Sequence, residues 1–192
     1  MKVYLDNSAT TRPNDRVVQA MSSAMSDYFY NPSALYALAV EVDQMMDSCR
    51  SKILKVLNSP GRIIFTSGGT EADNLAILGS VKNCNKPGRI LYSAGEHPAV
   101  SQSGKKLTES GFDVQEIPLT RDGLIDLFKY EELLTENTQL ICVMQINNVT
   151  GAVSPISKLT SLRDLHCPQA LFHVDGVQGF LRDHCHANIL NV

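Results

Sequence analysis

The stretch QLICVMQI (139–146) is apolar at almost every position, and it constrains the fold more than any other segment. A strand with one wet face alternates apolar and polar residues, so a run without alternation must be covered on both faces. The run belongs to a series. RIIFTS (62–67), RILYSA (89–94), FDVQEIPL (112–119) and ALFHVD (170–175) also read as strands. Helical spacing fills the intervals at 70–82, 97–110, 126–135 and 156–166. Such alternation predicts an α/β layer fold around a mostly parallel sheet, whose ligands bind beyond the carboxyl ends of the strands. Ahead of this series, VYLD (3–6) reads as a short strand. Asn14 is a candidate N-cap for a helix that ends at Asn31-Pro32-Ser33, and a longer helix is expected over 35–58.

Composition narrows the function. The chain has 192 residues, 43% of them hydrophobic, and a formal net charge of −3 with no basic stripe. Nucleic acid and anionic membranes are therefore excluded as expected partners. No run reaches the ~18 apolar residues of a spanning helix. The start, MKVYLDNSATT, lacks the apolar core of a signal peptide. Five cysteines with no C-x-x-C argue for a reducing compartment, and the expected location is the cytoplasm. Asp183-His184-Cys185-His186 places candidate metal ligands side by side, where they cannot converge on one tetrahedral ion, so no metal site is expected.

The chemistry collects at the predicted strand ends. Ser67-Gly68-Gly69-Thr70 follows the first strand of the series and opens a helix, an arrangement that presents free N–H groups to an anion. Glu96-His97 follows 89–94, Asn147-Asn148 follows 139–146, and Asp175, with Gln178 beyond it, closes 170–175. A flat, phosphorylated heteroaromatic cofactor would use all of these. Pyridoxal 5′-phosphate (PLP) is such a molecule. Its phosphate suits Gly69 and Thr70, its ring can stack on His97, and its ring hydroxyl suits Asn148 and Gln178. Its pyridinium nitrogen needs a carboxylate such as Asp175.

YLDNSATT (4–11), NPSA (31–34), FTSGGTEADNLAI (65–77), EH (96–97), NN (147–148) with Gly151, and HVDGVQ (173–178) occur in one order. In that order they resemble the cysteine desulfurases, class V enzymes of the fold-type I PLP-dependent group. The resemblance covers residues 3–180. It implies the three-layer α/β large domain of that group, with a mostly parallel sheet, in truncated form. The expected division is an N-terminal segment (1–13), a partial PLP-binding domain (14–180) and an irregular tail (181–192). It implies PLP as cofactor, held by Gly69, Thr70, His97, Asn148, Asp175 and Gln178, with His97 also catalytic and Asn31 facing substrate. The implied reaction takes sulfur from L-cysteine, leaves L-alanine and forms a cysteine persulfide. Implied partners are a second copy of the enzyme and a sulfur-acceptor protein. In that family the Schiff-base lysine follows the aspartate strand and the persulfide cysteine comes later still. Here no lysine follows Lys158, Val149 stands where a glutamate is usual, and Tyr36 where a histidine is common. The resemblance thus implies a chain that lacks activity alone. The alternatives are a non-catalytic remnant or binding module, or another class V enzyme such as an aminotransferase or selenocysteine lyase.

Overall fold

The structure, a computed structural model, describes residues 2–58, 60–82, 84 and 86–182. It contains two compact units, Met1–Ile64 and Phe65–Val192. In the first, α1 (Asp15–Ser26) and α2 (Ala37–Leu57) are helices. Asn14 caps α1 as expected, its Oδ1 accepting from the N–H of Val17 at 3.0 Å. The expected strand at 3–6 is absent. Val3, Tyr4 and Leu5 are exposed, and the Tyr4 hydroxyl instead donates to the carbonyls of Asp6 and Thr10, closing a local turn.

The second unit runs α3 (Gly69–Val81), β1 (Arg89–Ser93), α4 (Pro98–Glu109), β2 (Asp113–Ile117), α5 (Leu127–Leu133), β3 (Thr138–Met144), α6 (Ile156–His166) and β4 (Leu171–Asp175). The strands form a four-stranded sheet in the order β2-β1-β3-β4, and every pairing is parallel. Residues 62–67 do not join it. A strand exists through its ladder, and this segment has no ladder partner among the described residues; Ile64 and Phe65 remain 69% and 48% exposed.

β3 is buried as its composition demands, and its side chains divide between two cores. Ile141 and Val143 join Leu91, Phe172 and Val174 against Tyr130 of α5 and Leu159 of α6. Leu140 and Cys142 join Ile90 against Ile77 and Val81 of α3 and Val100 and Leu107 of α4. The period-two alternation of each strand thus separates an α5/α6 face from an α3/α4 face, giving three layers. The chain leaves β1 towards β2 on one side and leaves β3 towards β4 on the other. The order reverses between β1 and β3, so the loops after these two strands diverge and leave a crevice at their carboxyl ends.

Candidate cofactor site

α3 begins without a side-chain cap. Gly68 contributes its carbonyl, which accepts from Ala72 N–H at 3.1 Å. Glu71 reaches back, and its Oε2 accepts from both the N–H and the hydroxyl of Ser67, each at 2.6 Å. Those bonds hold its carboxyl below the usual carboxylate range. Gly69 makes a close approach: a Cβ there would stand 2.9 Å from Val177 Cγ2 and would have to displace that side chain. The helix start therefore lies directly against the turn that follows β4.

That turn is organised by Asp175. Its carboxylate accepts from Val177 N–H at 3.0 Å, and the residue is only 5% exposed. Burial pushes its carboxyl up and the Val177 bond opposes this. Asp73 pushes it further up, while His173 and His97 draw it down. His97 thus lies within electrostatic reach of Asp175, although it comes from a different strand end. His97 is also the N-cap of α4, with Nδ1 accepting from Ala99 N–H at 3.2 Å and Pro98 in the first turn. An accepting Nδ1 assigns the proton of the neutral ring to Nε2.

The two asparagines after β3 divide their tasks. Asn147 is structural: its Nδ2 donates to Gly95 carbonyl at 2.9 Å, and its Oδ1 accepts from the N–H groups of Val149 and Thr150. Asn148 is exposed beside it, in the loop at the same edge of the sheet. Gln178 follows Asp175 by one turn, and its amide oxygen accepts from Arg182 Nη1 at 2.7 Å. Gly69 therefore meets the turn that follows Asp175, His97 lies within electrostatic reach of Asp175, and Gln178 sits in that same turn, with Thr70 the second residue of α3 and Asn148 on the loop after β3. Asn31 belongs to the first unit, where its Oδ1 accepts from Ser33 N–H at 3.0 Å. The 183–186 cluster lies outside the described residues.

Comparison with known proteins gives this arrangement a family. Residues 3–192 match the aminotransferase class-V family. The chain belongs to that family. Its relatives include cysteine desulfurase NifS of Azotobacter vinelandii, 37% identical over 178 residues, which cover 92% of this chain and 44% of the relative. Putative cysteine desulfurase IscS 1 of Bacillus subtilis is 37% identical over 181 residues, covering 93% of this chain and 47% of the relative. A solved NifS-like protein superposes with a TM-score of 0.86 at 33% identity, over 91% of this chain and 48% of its own. SspA, solved in complex with cysteine, gives 0.89 at 32% identity, over 97% of this chain and 55% of its own. The chain spans about half the length of the relatives it matches.

Class-V enzymes are PLP-dependent, and the residues present fit that cofactor. An uncapped helix start suits its phosphate, and a buried carboxylate suits a cationic ring nitrogen. The contact between Gly69 and Val177 ties these two subsites together. Three further residues at this edge take roles that the sequence does not assign to them. Glu96 turns inward, Asn147 pins the loops together, and Asp73 pairs with His173. The last is a buried contact, His173 Nε2 to Asp73 Oδ1 at 3.0 Å, which fastens α3 to β4. Its signal was available: Asp73 shares the buried stripe of Ile77 and Val81 at four-residue spacing, and an acid on such a stripe calls for a partner.

Proposed function

We propose that this chain forms the cofactor-binding face of a cysteine desulfurase-type enzyme. The observation that carries the reading is the buried carboxylate of Asp175, set by its Val177 turn against the open start of α3. Gly69 and Thr70 would hold the PLP phosphate, His97 would lie against the ring, and Asp175 would meet the ring nitrogen. Asn148 and Gln178 would take the ring hydroxyl. PLP, when bound, supplies an electron sink for bonds at the α-carbon of an amino acid. The protein's part is to orient the ring and keep a negative charge beside its nitrogen. His97, whose Nδ1 is committed to the cap, is placed to hold a proton at Nε2 on the reactive side.

The substrate in this reading is L-cysteine, Asn31 is the residue that the family resemblance assigns to it, and the products are L-alanine and a persulfide sulfur. The names of the relatives support this, as does the cysteine bound to SspA. A homodimer, a sulfur-acceptor protein and a cytoplasmic setting complete the proposal, with residues 14–180 as the cofactor-binding portion. No helix among the described residues is long and apolar enough to cross a membrane. Catalysis needs a lysine near the aspartate strand, and no lysine follows Lys158 in this sequence. The chain alone is thus proposed to bind PLP without turning over cysteine.

Titration with PLP and with unphosphorylated pyridoxal tests this. PLP is expected to bind at least tenfold more tightly, because the phosphate contributes a charge-assisted subsite. Borohydride reduction of the mixture followed by peptide mapping should label no single lysine stoichiometrically. Equal affinity for the two compounds would overturn the phosphate assignment, and one fully labelled lysine would overturn the inactive-chain reading.

A further inference from the structure

Glu96 precedes His97 and sits where the strand order reverses. Its Oε1 accepts from the Ser93 hydroxyl at the end of β1 and from Met144 N–H at the end of β3, the latter at 2.6 Å. One oxygen therefore joins two strands whose following loops diverge. Its Oε2 is enclosed and has no hydrogen-bond partner among the described residues. Asn147 Nδ2, bonded to Gly95 carbonyl, adds a second tie between the same loops.

We propose that Glu96 is a positioning residue of the cofactor site, tying the ends of β1 and β3 across the crevice and so setting the place of His97. This rests on the cofactor reading above. The tie works best as a neutral acid. An ionised carboxylate would leave a charged oxygen buried without a partner, whereas a neutral one leaves only a hydroxyl. It would also add negative charge beside Asp175 of β4 and Asp73 of α3, which already compete for a buried region. Burial, followed by those two acids, pushes the Glu96 carboxyl up to about 8, against the lowering bonds from Ser93 and Met144. Cys142 of β3 is a further titratable group beside it, its thiol raised by burial and then by Glu96, while His97 and His173 act on Asp175. A neutral Glu96 leaves Asp175 as the carboxylate available to a cationic ring nitrogen.

The test uses the full 192-residue chain with E96Q and E96A. Glutamine keeps an oxygen acceptor and carries no charge, so it copies the neutral acid; alanine removes the tie. Infrared difference spectra of wild type minus E96Q at pH 6 should show the C=O stretch of a neutral carboxylic acid, fading as pH rises through about 8. In NMR, E96A should displace the His97 ring signals, identified by their loss in His97→Gln, and E96Q should restore them. PLP affinity should fall about tenfold in E96A and recover in E96Q. Carboxylate bands at pH 6, or an unmoved His97 in a folded E96A, would overturn the proposal. Should E96A fail to fold, an E96Q that displaces His97 overturns it and one that leaves His97 in place supports it. Absence of PLP binding by wild type, with the His97 and infrared results as expected, would sink the cofactor reading and leave the positioning role standing.

Discussion

The two faces of the sheet are built from the same strands and have opposite characters. Against α5 and α6, the strands present Leu91, Ile141, Val143, Phe172 and Val174, and the Tyr130 hydroxyl buried among them is satisfied by Leu159 carbonyl at 3.0 Å. Against α3 and α4, the apolar run of Ile90, Leu140 and Cys142 gives way at the carboxyl edge to Asp73, Glu96, His173 and Asp175. β4 carries both characters at once, with Phe172 and Val174 on one side and His173 and Asp175 on the other. One face is arranged for stability. The other spends some stability on buried charge, as sites built for ionic ligands do.

Four substitutions or conditions can break this contrast. The largest effect is expected on the apolar face. Tyr130 is fully buried, and Tyr130→Ala should cost about 4 kcal/mol in urea unfolding. In the folded fraction PLP affinity should stay within about twofold, since distant sites act independently. A large loss of affinity there would mean that the faces are not separable.

Next comes pH. Glu96 has a folded value raised from 4.5 to about 8, so between these values the folded state holds a proton that the unfolded state has released. Stability is then greatest below the lower value, declines as pH rises through the window, and levels off above the upper one. The decline should total a few kcal/mol, at about 1.4 kcal/mol for each pH unit of the window, and E96Q should remove most of it. Thermal melts from pH 4 to pH 9 read this directly; an unchanged slope in E96Q would assign the titration to other groups.

The Asp73–His173 pair is a smaller term. His173→Ala leaves a buried carboxylate without its partner and should cost about 2 kcal/mol. Adding Asp73→Ala should recover part of that loss, whereas simple additivity in the double variant would deny the coupling.

Asp175→Asn closes the series. PLP affinity should fall about tenfold, or ~1.4 kcal/mol, while the melting temperature stays level or rises because a repelled buried charge is gone. Wild-type affinity should also weaken on acidification, since protonation of Asp175 removes the negative charge, and its carboxyl is raised above the ordinary range.

Much of this contrast was legible in the sequence, and what escaped it shares one property. The run 139–146 announced a strand covered twice, and Asn14 announced a helix start; both are local signals. His97, Asn148, Asp175 and Gln178 could be placed at one edge because parallel topology sends every strand end the same way, whereas Gly69 and Thr70 follow a segment that joins no ladder and Gly69 meets that edge through Val177. Residues 62–67 misled, because a strand-like composition says nothing about whether a neighbour exists to pair with. Glu96 escaped for a related reason: its partners lie on two strands, and the 48 residues separating it from Met144 hide the crossing. Asn147 and Asn148 are alike in composition, and the turn geometry that engages the first and leaves the second exposed emerges only in the folded chain.

A groove of about 640 Å³ on the α5/α6 side, lined by Leu127, Phe128, Leu162, Lys158 and Glu131, offers an apolar wall and a cation beside a carboxylate on the face away from the proposed site. The decisive measurement is therefore a map of backbone ¹H–¹⁵N chemical shifts as PLP is added to the chain. The account predicts that the shifts concentrate at Gly69, Thr70, His97, Asn148, Asp175 and Gln178, with Leu127–Leu133 and Ile156–His166 undisturbed. Shifts gathered around Lys158, with the carboxyl edge of the sheet silent, would contradict it.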